Sequence, residues 1–256
     1  MRCMKRFVRK IIYGRDINMN NWKKIWESRV DRLDSIDAGD KEAIFAELKR
    51  IDGFDLEGGI PLDSLLKQYE QMKNELNVCK GNTVFEVGCG AGANLYLLSK
   101  EGIQVGGLDY SDTLLAILHK VIMNECLVEC ICDEAKKLPV SICYDAVFSN
   151  SVFAYFEDEF YARVVLEKMA QKAKMRIGIL DIYDAEKKEE CLAYRKQTIE
   201  NYEEKYMNLP KMFYHKNFFR KFAEQMGMRV WFRSNDMKGY GNAAFTYHCY
   251  MEHLPK

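Results

Sequence analysis

The sequence predicts an α/β fold: a doubly wound, mostly parallel seven-stranded sheet, with an antiparallel strand near its C-terminal edge and a helical cover before it. Three observations carry this expectation. Between residues 83 and 181 short apolar segments alternate with amphipathic helical ones, the pattern that calls for parallel strands joined by crossover helices. The first of those strands runs straight into a glycine-rich turn, Gly88-Cys89-Gly90-Ala91-Gly92. After residue 226, two further apolar segments are joined by Ser234-Asn235-Asp236 and Gly239-Tyr240-Gly241, which reads as a hairpin and adds an antiparallel strand.

The elements follow in order. Residues 1–19 form a basic arm: Arg2, Lys5, Arg6, Arg9, Lys10 and Arg15 interrupt any apolar signal core. It is expected to be dispensable. From Asn20 to about Arg50 the spacing of Trp22, Ile25, Trp26, Val30 and Leu33 reads as largely helical. Asp52-Gly53 and Glu57-Gly58-Gly59 break that pattern, and Pro61 opens a second helix with Leu62, Leu65, Leu66, Tyr69 and Met72 on one face. Residues 20–78 therefore read as the helical cover, and 79–256 as the sheet domain with a helical insertion at about 184–213.

Strands are expected at 83–87, 104–108, 127–132, 144–149 and 175–180, then at 229–233 and 243–251. Helices follow the first two strands and span 157–172 and 217–226, with charged helix over 184–206. Ser111 is placed to cap the helix that carries Leu114, Leu115 and Leu118.

Composition excludes several classes. Hydrophobic residues make up 48% and charged residues 30% of 256, which suits a globular chain rather than a disordered one. Lys+Arg and Asp+Glu both total 38, which argues against broad phosphate neutralisation of a nucleic acid. No apolar run reaches the roughly 18 residues of a membrane span. The nine cysteines are scattered through apolar segments, as suits free thiols in a reducing cytoplasm. Cys126, Cys130 and Cys132 follow strand alternation, and no metal site is expected there.

The glycine turn carries the most chemistry. Its spacing, Gly88-x-Gly90-x-Gly92, departs from the dinucleotide fingerprint, and Glu86 precedes it. A carboxylate there repels a pyrophosphate and favours a cationic or zwitterionic ligand.

Val84-Phe85-Glu86-Val87-Gly88-Cys89-Gly90-Ala91-Gly92 resembles the first motif of class I S-adenosylmethionine-dependent methyltransferases. Gly107-Leu108-Asp109-Tyr110-Ser111 resembles their second motif, Cys132-Asp133-Glu134 with Leu138-Pro139 the third, and Tyr144 to Asn150 the fourth. The resemblance implies S-adenosylmethionine as cofactor, with S-adenosylhomocysteine as product. It implies that Gly88, Cys89, Gly90 and Gly92 floor the aminoacyl arm and ribose, with Glu86 beside that arm. Asp109, next to Tyr110, would take the ribose hydroxyls, Asp133 and Glu134 would meet adenine, and Asn150 would border the reactive end. Each acid also has a plain alternative: Asp109 as a helix cap, Asp133 as a solvated loop acid, Glu86 as a strand-end acceptor.

Methyl transfer from a sulfonium needs positioning more than acid–base help, so no catalytic residue is dictated. Tyr155, Asp181 and His215 are the candidates, and each also suits a packing or capping role. Trp22, Trp26 and Arg29 share a helical face, and by analogy with similar enzymes Arg29 would reach the cofactor's carboxylate. The expected reaction is methylation of an oxygen or nitrogen on a small-molecule acceptor. No nucleic-acid or membrane partner is expected, and the chain would act as a monomer or homodimer. Methylation of protein or RNA, a non-catalytic cofactor-binding regulator and a nicotinamide-linked oxidoreductase are the alternatives.

Overall fold

A computed structural model describes residues 22–54, 59–206 and 209–255. The basic arm lies outside these residues. Helix covers 22–27 (α1), Lys41–Ile51 (α2) and Leu62–Leu76 (α3). The sheet then begins: β1 (Thr83–Val87), α4 (Ala93–Lys100), β2 (Gln104–Asp109), α5 (Asp112–Val121), β3 (Leu127–Cys132), β4 (Tyr144–Asn150), α6 (Glu159–Lys172) and β5 (Ala173–Tyr183). The chain closes with α7 (Lys188–Thr198), α8 (Tyr202–Tyr206), α9 (Lys216–Met226), β6 (Met228–Ser234) and β7 (Thr246–His253).

Seven strands form one sheet in the order β3-β2-β1-β4-β5-β7-β6. β1 pairs in parallel with β2 on one side and β4 on the other, so the winding reverses between β1 and β4. In such sheets that reversal opens a crevice at the carboxyl ends of the strands, where ligands bind. β7 runs antiparallel to both β5 and β6, so the C-terminal hairpin puts its second strand inside and its first at the edge.

The central strands are buried on both faces, as parallel strands under helices must be. In β1, Val84 joins the core shared with Phe45, Leu48, Leu65 and Leu95, while Phe85 and Val87 join the opposite core with Val165, Leu166 and Phe219. The α2 and α3 side chains thus belong to the core of the sheet itself.

One expectation needs correction. Residues 20–50 are not one helical run: α1 ends at residue 27, a 3-10 turn covers Leu33–Ser35, and α2 starts at Lys41. Local polar chemistry explains the break. The Gly39 N–H donates to Asp37 Oδ1 at 2.8 Å, and Asp40 Oδ1 accepts from the Ala43 N–H at 2.9 Å as the cap of α2. Asx side chains in this pattern compete with helix continuation. Val30, expected on the apolar face, is 73% exposed as a result.

Candidate active site

The glycine turn leaves β1 at the winding reversal. The Gly88 and Cys89 N–H groups both donate to the Leu108 carbonyl, at 2.7 and 3.0 Å, which pins the turn to β2. Gly88 has φ 74°, a left-handed backbone that side chains disfavour, and a Cβ there would collide with Val152.

A cavity opens above this turn and holds about 980 Å³, its open mouth included. The β-strand ends supply Glu86, Gly88, Cys89, Gly90, Asp109, Tyr110, Glu134 and Asn150 to its lining, and the N-terminal helices add Trp22, Trp26, Lys49 and Asp52.

The charged groups form one chain of contacts. Lys49 Nζ donates to Asn94 Oδ1 at 2.9 Å, and Asn94 Nδ2 donates to Glu86 Oε1 at 2.8 Å. Glu86 Oε2 is buried and has no hydrogen-bond partner. A buried carboxylate oxygen without a donor costs stability, so a ligand donor is the natural complement. Burial raises the Glu86 pKa, against the Asn94 hydrogen bond and the Lys49 charge. Burial also pushes Asp52 up to about 7, although the Ala91 N–H donates to its Oδ1 at 2.8 Å.

Asp109 accepts from the Gly90 N–H at its Oδ2 and from the Ser111 N–H at its Oδ1, both at 2.9 Å. The Tyr110 N–H also bonds to this carboxylate. Burial nevertheless raises its pKa. Four acids, Asp52, Glu86, Asp109 and Glu134, against one lysine give the cavity a surplus of carboxyl groups, which favours a cationic ligand.

The other expected residues divide. Asn150 lines the cavity and its Oδ1 accepts from the Ser151 hydroxyl at 3.3 Å. Gly92 lies below the lining as the left-handed N-cap of α4. Asp133 is turned away: its Oδ1 bonds to Lys137 Nζ at 2.8 Å, which holds its pKa down. Arg29 stacks on the Trp26 ring at 5.4 Å and does not line the cavity, where Lys49 is the cation instead.

Among the catalytic candidates, Tyr155 lines the cavity in edge contact with Trp22 at 4.6 Å and Trp26 at 5.9 Å. Burial raises its pKa, so it stays protonated near neutrality. Asp181 sits beside the cavity with φ 57°; its Oδ2 accepts from Ser151 and Tyr240 hydroxyls at 2.8 Å each, and its Oδ1 from Asn235 at 3.3 Å. The Asp181 N–H donates to His248 Nδ1 at 3.0 Å. Asp181 therefore orders its surroundings through three accepted hydrogen bonds. His215 is not brought in: it is the exposed N-cap of α9 and does not line the cavity.

Lys49, Asp52 and Asn94 went unread in the sequence. The signal was there in part. Lys49 stands four residues after Phe45 on a buried helix face, and Asn94 is a lone amide among apolar residues in α4.

This strand order with an inserted antiparallel seventh strand, and a cavity over the β1 turn, define a Rossmann-like α/β fold. Residues 84–174 match the family model described as "Methyltransferase domain". This matched segment spans β1 to the start of β5 and is similar to the methyltransferase domains of that family.

Solved structures agree on the fold. Magnesium protoporphyrin IX methyltransferase (ChlM) from Synechocystis PCC 6803, with bound SAM, matches with TM-score 0.55 and 14% identity over 75% of this chain and 81% of that one. A putative methyltransferase of Haloferax volcanii, in complex with the Trm112 methyltransferase activator, matches with TM-score 0.55 and 18% identity, covering 85% and 98%. A putative S-adenosylmethionine-dependent methyltransferase from Listeria monocytogenes gives TM-score 0.56 and 11% identity over 76% and 100%. No curated protein matches the sequence.

Proposed function

We propose that this protein is an S-adenosylmethionine-dependent methyltransferase that transfers the methyl group to an oxygen or nitrogen of a small-molecule acceptor. The observation that carries the cofactor is the buried, unpartnered Glu86 Oε2 above the glycine turn. It is the acceptor that an α-ammonium group requires, and Lys49 beside it is the cation that an α-carboxylate requires. Asp109 lines the cavity with acceptor capacity to spare for a ribose hydroxyl. Tyr110, Ala135, Phe156 and Tyr161 supply apolar and aromatic lining for a purine. Asp133 has no part in this reading, and Glu134 alone of that pair stands at the wall.

The bound cofactor supplies an already activated methyl group. The chain's task is then to align the acceptor and keep out water. Tyr155, Asn150 and Ser151 border the side of the cavity where an acceptor would enter, and Asp181 fixes Ser151 through its hydroxyl. A small acceptor is favoured because Trp22, Trp26 and Phe54, from the N-terminal segment, cover the cavity. These rings narrow the cavity, which supports a small acceptor over a polymer chain. The assay is incubation with methyl-labelled S-adenosylmethionine and a metabolite extract, followed by separation. Label in a small molecule is expected; label confined to RNA or protein would overturn the acceptor class.

A further inference from the structure

Two cations behind the cavity form no ion pair among the described residues. Arg195 on α7 is 6% exposed, and Lys211 stands in the segment that returns across the strand ends. That segment is tied to the site by Met212 N–H to the Ala154 carbonyl at 2.8 Å and Tyr214 N–H to the Tyr183 carbonyl at 2.8 Å. Both cations converge on one atom. The Tyr183 hydroxyl accepts from Lys211 Nζ at 3.1 Å and from Arg195 Nη1 at 3.4 Å.

With both lone pairs of that oxygen occupied, the Tyr183 O–H must donate its proton elsewhere, and no described residue accepts it. Nor does any described carboxylate form an ion pair with Arg195 or Lys211. The other buried lysines differ: Lys172 is paired with Glu129, and Lys49 leads to Glu86 through Asn94. Asp181 acts on Lys211 only through space, because Ser151, Tyr240 and Asn235 occupy its carboxylate.

Among the described residues Arg195 otherwise reaches only neutral oxygens, Asn242 Oδ1 at 3.5 Å and the Tyr202 hydroxyl, so both buried charges meet dipoles rather than a paired carboxylate, which is costly. Their meeting point lies one aromatic ring from the cavity. Lys211 Nζ is 5.1 Å from the centre of the Tyr155 ring, and Tyr155 lines the cavity. Tyr202 and Tyr206 flank Arg195 at 5.3 and 4.8 Å and hold the guanidinium in place.

We propose that Arg195, Lys211 and the Tyr183 hydroxyl bind an oxyanion, a carboxylate or a phosphate, on the small-molecule acceptor. This rests on the methyltransferase reading of the same site and adds the acceptor's chemical class. Burial and the neighbouring Arg195 push Lys211 down to about 8, so it is charged at neutral pH and loses its proton just above. Anion binding is therefore strong below pH 8 and fades above it.

The test is calorimetry on the full chain saturated with S-adenosylhomocysteine, titrated with benzoate, phenyl phosphate and neutral benzamide. At least one anion should bind with a dissociation constant in the millimolar range or below, and benzamide at least tenfold more weakly. The stronger of the two anions identifies the group. Lys211→Met should lose about tenfold of that affinity and Lys211→Arg should retain most of it, with S-adenosylhomocysteine affinity unchanged in both. Equal binding of benzamide, no saturable anion binding, or indifference to Lys211→Met would overturn the proposal. So would a loss of S-adenosylhomocysteine affinity in Lys211→Met, which would assign the cations to the cofactor. If the native chain fails to bind S-adenosylhomocysteine at all, the methyltransferase reading itself falls first.

Discussion

Glu86 concentrates the residue-scale argument, because one oxygen is held by Asn94 and the other is held by nothing. Glu86→Gln keeps an acceptor for Asn94 but replaces the free oxygen with an amide donor that an ammonium group cannot use. It should weaken S-adenosylmethionine binding by tenfold or more, about 1.4 kcal/mol, in a titration at neutral pH. Unchanged affinity would remove Glu86 from the cofactor site. Asp52 adds a pH dependence. Burial raises its pKa to about 7, so the carboxylate is ionised above that pH and neutral below it. Affinity for a cationic cofactor should therefore fall as pH drops through 7, and Asp52→Asn should flatten that slope. A slope of equal size in the variant would assign it to another group.

These residues also mark what a sequence can disclose. Glu86 and Gly88, and separately Asp109, were legible as cavity residues because each falls in a short motif at the carboxyl end of a strand. Lys49 and Asp52 were not, since they reach the cavity from α2, far away in sequence and joined only by packing. Asp133 misled for the opposite reason: its place in the motif is right, but a lysine one helical turn later captures the carboxylate. His215 was singled out for its titratable ring alone, and the fold leaves it at an exposed helix cap.

At the scale of elements, the β1–α4 turn and α2 position most of the site. Gly88→Ala forces a side chain into a left-handed backbone and against Val152, so it should cost about 1–3 kcal/mol and weaken cofactor binding. Gly102→Ala is the control: it has a similar φ of 76°, but its Cβ meets only the flexible Lys80 side chain. It should cost about 1 kcal/mol and leave cofactor affinity unaltered. Equal effects in the two variants would mean that the turn's shape matters only for stability. The strands were the most legible elements, because alternation and apolar runs have a fixed period. The break before α2 was not, because Asp37, Gly39 and Asp40 act through local hydrogen bonds rather than periodicity.

For the whole molecule, the decisive feature is that the N-terminal helices share the core of the sheet. Phe45, Leu48 and Ile51 from α2 and Leu65 and Met72 from α3 belong to one cluster with Val84, Leu95 and Leu98. Cover and sheet should unfold together in urea, with tryptophan fluorescence and far-ultraviolet circular dichroism tracing one transition. Trp22 and Trp26 report on the cover and Trp231 on the far edge of the sheet. Leu48→Ala should lower stability by about 2–5 kcal/mol across that whole transition. Two separated transitions would show the cover to be an independent unit.

All of this depends on the ligand for which the cavity is shaped. Titration calorimetry of the native chain with S-adenosylmethionine, S-adenosylhomocysteine and a nicotinamide dinucleotide tests it most directly. One molecule of either S-adenosyl compound should bind per chain, with no saturable heat from the dinucleotide. Silence with both S-adenosyl compounds and saturation by the dinucleotide would contradict it.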